Sequence, residues 1–156
     1  MKKYLKDQEY YTIVKDILDN EDYQKLKTRI HHGDNRMDHC IRVSYLSYKL
    51  AKHSKMNRVS IARAALLHDF FLSNNQAMPH DLRRLILKEH PKYACAFAKK
   101  YFELSPLEED IILSHMYPLA KRKPNYSESW LVLHIDNLVS IYDRCIASFI
   151  SKIKKK

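Results

Sequence analysis

Ala64-Ala65-Leu66-Leu67-His68-Asp69-Phe70-Phe71-Leu72 is apolar on nearly every side of a helix except at its central pair. A helix of this kind, predicted near Val59 to Leu72, belongs in the middle of a core rather than on a surface. An ionised carboxylate in such a place is strongly unfavourable unless a cation or strong donors compensate it, so Asp69 needs a partner. His68 lies about a quarter-turn away on a helix, which lets both side chains line one cavity wall. Taken alone the pair decides little, because a buried histidine is usually just hydrogen-bonded. What lies on either side of it decides more.

Upstream, Tyr10, Ile13, Val14 and Ile17 recur at helical spacing, and Tyr23, Leu26 and Ile30 repeat the pattern after Asp19-Asn20-Glu21-Asp22. After His31-His32-Gly33-Asp34-Asn35, a long helix is predicted with His39, Val43, Leu46 and Leu50 along one stripe, so His39 begins on the buried face. Downstream, a polar stretch from Ser73 to Pro79 precedes a short helix around Leu82 to Leu87. His90 then precedes Pro91, which suits the first turn of a new helix and pushes His90 into a non-helical cap. Ser105-Pro106-Leu107-Glu108 is a capping box with proline at the first helical position, and the helix it opens runs through Ile111 and Ile112 to His115. Beyond the basic loop Lys121-Arg122-Lys123-Pro124-Asn125, Asn125 and Glu128 can cap a last helix. Its apolar stripe is Leu131, Ile135, Leu138, Tyr142, Ile146 and Phe149, with Asp136 at or beside that face.

Composition agrees. Glycine occurs once, at Gly33, which argues against tight hairpins, Gly-rich phosphate loops and dinucleotide folds. The expected class is all-α, a single compact helical bundle over residues 1–156 with its core at about 30–150 and a lysine-rich tail at 152–156. Cys40, Cys95 and Cys145 are odd in number and far apart in apolar stretches, so no disulfide framework is expected. No apolar window approaches a membrane span and the N-terminus leads into charged residues, from which a cytoplasmic protein is expected. A net charge of +10 favours acidic substrates or partners. Nucleic acid is not the favoured one, since no helix gathers Arg and Lys into a reader-like stripe. An apolar face on the N-terminal helices offers a surface for a homodimer.

The order His39, His68-Asp69, His90, His115, Asp136 resembles the HD-domain superfamily, whose signature is His, His-Asp and a distant Asp, with two further histidines in its two-metal members. The resemblance covers about Arg36 to Asp143 and is nearest to small stand-alone bacterial HD proteins. It implies that His39, His68, Asp69 and Asp136 hold one metal, and that Asp69 bridges to a second held by His90 and His115. Four neutral imidazoles and two carboxylates suit two divalent transition-metal ions, manganese, iron or zinc, better than magnesium.

The resemblance further implies a metal-dependent phosphohydrolase, a phosphomonoesterase or phosphodiesterase, in which a metal-bridging hydroxide attacks a nucleotide or another small phosphorylated compound. His68 and Asp69 would belong to the catalytic set. Arg36 would steer phosphate, and His32, Lys121, Arg122 and Lys123 are further candidates for the substrate. Met116-Tyr117-Pro118 lacks the glycine-rich signature of HD-GYP cyclic dinucleotide phosphodiesterases, and Phe70-Phe71-Leu72 stands where many HD hydrolases carry glycine and lysine. The same six ligands also occur in HD-type mixed-valent di-iron oxygenases resembling myo-inositol oxygenase. A third reading is a metal-containing binding or regulatory module for nucleic acid or an acidic partner.

Overall fold

A computed structural model describes residues 3–28, 30–31, 34–71 and 80–153. His32, the stretch from Ser73 to Pro79 and Lys154 to Lys156 lie outside the described residues. Among those described are seven α-helices: α1 (Gln8–Leu18), α2 (Glu21–Gln24), α3 (Arg36–Ala51), α4 (Arg58–Leu67), α5 (His80–Ala98), α6 (Pro106–Ser114) and α7 (Ser127–Ile153). The all-α class holds. One departure is a two-residue antiparallel ladder, β1 (Ile30–His31) with β2 (Asp34–Asn35), where the scarcity of glycine argued against a hairpin.

α4 is the central element and touches α1, α3, α5, α6 and α7. Asn57 caps its start by accepting from the Ser60 amide. Ile61, Ala62, Ala64, Ala65, Leu66 and Leu67 are all fully buried around it. The small alanines let neighbouring helices approach, and Arg63, set among them, leaves the core to form a bidentate pair with Asp16 at 2.7 and 2.8 Å. The stripe of α1 packs inward here, with Tyr10, Val14 and Ile17 buried. The Tyr10 hydroxyl donates to Ser44 Oγ at 2.8 Å, which donates to the Ala62 carbonyl at 2.6 Å.

Four local expectations are corrected. α4 stops at Leu67 instead of reaching Leu72; the Phe70 amide bonds back to Leu67 at 3.0 Å and the Phe71 amide to Asp69 at 2.8 Å, forming a buried turn. All-round apolarity reports burial, and a buried turn satisfies it as well as a helix does. The break expected between a short helix ending near Leu87 and a new one at Pro91 does not occur: α5 is continuous and Pro91 lies inside it. Asn125 is not at the cap of α7, which begins two residues later at Ser127; its backbone N–H and side-chain amide donate to Asp110, at 2.9 and 2.7 Å. The stripes of α3 and α7 are rotated from those read in the sequence. Leu46, Leu50, Leu138 and Tyr142 are exposed, while Val132, Ile135, Asp136, Val139 and Asp143 face inward. Two carboxylates thus displace leucine and tyrosine from the buried face of α7.

The capping box is as read: Glu108 N–H donates to Ser105 Oγ at 3.3 Å, and Ser105 N–H to Glu108 Oε2 at 2.8 Å. Among the described residues, no helix is long and apolar enough to cross a membrane.

Candidate metal centre

His39, His68, Asp69, His90, His115 and Asp136 come from five separate segments and are all buried. His39 stands on α3, His68 and Asp69 in the turn that ends α4, His90 on α5, His115 just past α6 and Asp136 on α7. The four imidazoles follow one rule. His68 Nδ1 lies 2.7 Å from the Ala65 carbonyl, His90 Nδ1 2.9 Å from Leu87 and His115 Nδ1 2.7 Å from Ile112. His39 Nδ1 lies 3.1 Å from Asp143 Oδ2, which also accepts from Arg42 at 2.9 Å. Each partner is an acceptor, so each Nδ1 carries a hydrogen and each Nε2 faces the centre; His39 Nε2, 3.0 Å from Asp136 Oδ1, holds a proton of its own that a metal would displace.

Local backbone explains why three of these contacts exist. The last carbonyls of a helix lack intrahelical partners. His68 and His115 are the residues immediately after α4 and α6, and each folds back three positions onto such a carbonyl. His90 reaches the same arrangement inside a helix, because Pro91 has no N–H to give to the Leu87 carbonyl, and His90 Nδ1 takes it instead.

The carboxylates complete the set. Asp69 Oδ1 is 3.0 Å from His90 Nε2 and 3.8 Å from His115 Nε2, while its Oδ2 is 4.0 Å from His68 Nε2. Asp136 Oδ1 is 3.0 Å from His39 Nε2 and 3.7 Å from His68 Nε2. The two oxygens of Asp69 therefore face different histidines, as a carboxylate between two cations would. Three overlapping groups can hold a metal ion: His39 with His68 and Asp69, His68 with His115 and Asp136, and Asp69 with His90 and His115.

The donor set fits cations. His90 Nε2 and His115 Nε2 are 2.8 Å apart, although both rings have their hydrogen on the far nitrogen. Two lone pairs at that separation repel unless positive charge lies beside them. Burial, then the neighbouring His90 and His68, push the His115 pKa down to about 3, so this ring stays neutral. Burial also opposes charge on His39, but hydrogen bonds to Asp136 and Asp143 outweigh it and raise its pKa to about 9. For Asp136, burial acts against ionisation and is overcome by the His39 hydrogen bond and the imidazoles of His68 and His115, which hold the carboxyl well below the usual range.

A cavity of about 190 Å³ opens from this centre. Its walls add Leu87, Met116, Leu119, Asn137, Ser140 and Arg144. Neither Arg36 nor the basic loop is among them. Arg36 is buried, donates from Nη1 to the Phe71 carbonyl at 2.7 Å and lies 4.0 Å over the Phe71 ring. Phe71 in turn stacks on His90, with ring centroids 5.3 Å apart. Arg122 donates to Asp110 Oδ1 at 3.2 Å, and Lys121 and Lys123 are exposed. Asp143 and Arg144 escaped the sequence reading. Asp143 carries a legible signal, standing one heptad after Asp136 and hence on the same helix face.

The family model for the HD domain matches residues 36–144, well over half of the chain, and the protein belongs to that family. The HD superfamily is one of metal-dependent hydrolases, generally phosphohydrolases. No curated protein and no solved structure matches the chain.

Proposed function

We propose that this protein is a metal-dependent phosphohydrolase that cleaves a phosphoester of a nucleotide or another small phosphorylated compound. The observation that carries the reading is the convergence of four Nε2 atoms on two buried carboxylates, each imidazole locked by an acceptor at Nδ1. His39, His68, Asp69 and Asp136 would hold one divalent ion, and Asp69, His90 and His115 a second. Ions bound there supply Lewis acidity toward phosphoryl oxygens and make water a nucleophile near neutral pH.

The chain supplies position. Asp143 and Arg42 fix His39, the helix-end carbonyls fix the other three rings, and Asp69 and Asp136 provide the negative charge that retains cations. Arg36 acts at one remove by holding Phe71 against His90. The test is metal analysis of purified protein followed by a phosphoester panel. Close to two transition-metal equivalents are expected, with Asp69→Asn losing both ions together with hydrolysis. Protein that remains metal-free after incubation with manganese, iron or zinc, or an Asp69→Asn variant that keeps both ions, refutes the reading.

A further inference from the structure

α7 carries more than Asp136 into the cavity. Asn137, Ser140 and Arg144 stand at positions i, i+3 and i+7 and all line it. At roughly 100° per residue they fall within about 60° of one another around the helix, and they span about 10 Å along it. Ser140 Oγ lies 3.4 Å from Asp136 Oδ1, so this stripe begins at the metal-facing carboxylate and ends at a guanidinium. The other wall is Leu87 on α5 with Met116 and Leu119 from the turn after α6. Among the described lining residues, the carboxylates are Asp69 and Asp136, both already in the metal set. Beyond the metals the cavity therefore has a hydrogen-bonding, cationic side and an apolar side.

We propose that this cavity is the substrate subsite, resting on the hydrolase reading above, and that it selects a phosphomonoester whose organic group is small and presents an apolar face. Arg144 grips phosphoryl oxygens through paired N–H groups, with the Asn137 side-chain amide donating beside it and Ser140 spent on Asp136. A terminal phosphate has three non-bridging oxygens and can meet both the metals and a guanidinium fork, whereas a diester has two and carries less charge. Leu87, Met116 and Leu119 cover the ring or short chain that follows the ester oxygen. The cavity volume, about 190 Å³, lies below the roughly 300 Å³ at which drug-sized ligands are taken up whole. A single ring fits this description better than an extended dinucleotide.

The test uses non-hydrolysable probes bound to the metal-loaded protein and measured by titration calorimetry: phenylphosphonate, methylphosphonate and the monomethyl ester of phenylphosphonate. Phenylphosphonate should bind about tenfold or more tightly than methylphosphonate, the increment expected from covering one ring. The monomethyl ester should bind weakest. Arg144→Ala should weaken both phosphonates by at least about tenfold with metal content unchanged, and Arg144→Lys should restore part of that loss. Leu119→Ala should narrow the phenyl-to-methyl ratio while leaving methylphosphonate nearly unaffected. Arg144 and Leu119 are exposed, so these variants should fold. Equal affinity for the two phosphonates, or wild-type affinity in Arg144→Ala, overturns the subsite. If the probes show the expected pattern while no phosphoester is hydrolysed, the subsite stands and the hydrolase reading falls. If phosphoesters are hydrolysed but Arg144→Ala leaves phosphonate affinity unchanged, the subsite falls and the hydrolase reading stands.

Discussion

Replacing Pro91 with alanine should raise stability and lower metal affinity in the same variant. Proline in a helix interior is about 3 kcal/mol less favourable than alanine, because its ring meets the carbonyl four residues back and it has no N–H. In α5 that carbonyl belongs to Leu87, and it accepts His90 Nδ1 at 2.9 Å. Alanine supplies an amide that competes for the same oxygen. The metal-free Pro91→Ala protein should therefore melt several degrees higher, at about 2–4 °C for each kcal/mol recovered in a chain of this size. His90 would keep only a shared acceptor, since a carbonyl oxygen has a second lone pair. The loss should sit at the low end of the 10–100-fold range for disturbing the partner of a metal ligand, or about 1.4 kcal/mol. Thermal unfolding of the metal-free protein gives the first quantity, and competition with a chelating dye gives the second. Unchanged metal affinity alongside the stability gain would refute the role assigned to the Leu87 carbonyl. A fall in the melting temperature would refute the account of α5.

Asp143→Ala should weaken metal binding, again by about 10–100-fold, because it removes the acceptor that orients His39. His39 has its pKa raised to about 9, so its proton must leave when a metal binds, and affinity should climb with pH until about 9. Removing Asp143 lowers that pKa and should flatten the climb in a pH series of dye titrations; an unaltered slope counts against the assignment. Asp110 is buried; burial opposes its ionisation, but hydrogen bonds from Asn125, Ser129 and Arg122 outweigh this and lower its pKa. Its contribution is present above the unfolded value of about 3.9 and is lost as pH falls through the folded one. Asp110→Asn should destabilise by about 1.5–3 kcal/mol at pH 7 and reduce the loss of stability below pH 4, as read from urea melts. Arg36→Met should release metal if Arg36 works through Phe71 and His90; retained metal with a raised Michaelis constant would instead place Arg36 on the substrate.

The six converging residues were legible as a set only through the resemblance of their order to the HD superfamily, whereas the fold class was legible from periodicity and composition. The capping box at Ser105 and the burial of Asp69 followed from the same logic. Helix ends were less legible for a physical reason. Ala64 to Phe71 stays buried whether helical or turning, so the pattern carries no mark at Leu67 where the ladder stops. Pro91 was a true signal read with the wrong consequence: a cap and a tolerated interior proline share the same dipeptide, and packing chose between them. The stripe of α7 was misplaced because it was scored by apolarity. Asp136 and Asp143 belong to the inward face on chemical grounds alone, and admitting them rotates Leu138 and Tyr142 into solvent.

That rotation links the fold to the site. A helix turned to carry Asp136 and Asp143 inward also brings Asn137, Ser140 and Arg144 to the cavity, because positions adjacent around a helix move together. The same economy operates at the other wall. Phe71 stands in the His-Asp-Phe-Phe segment, where the sequence offers no lysine to reach phosphate, and its ring lies between the Arg36 guanidinium and the His90 imidazole. The cation on that side is thus held against an aromatic ring that itself stacks on a candidate ligand. The cation that lines the cavity comes from α7 instead. In the proposed subsite Arg144 would supply the positive charge that a lysine after Asp69 supplies in many HD hydrolases.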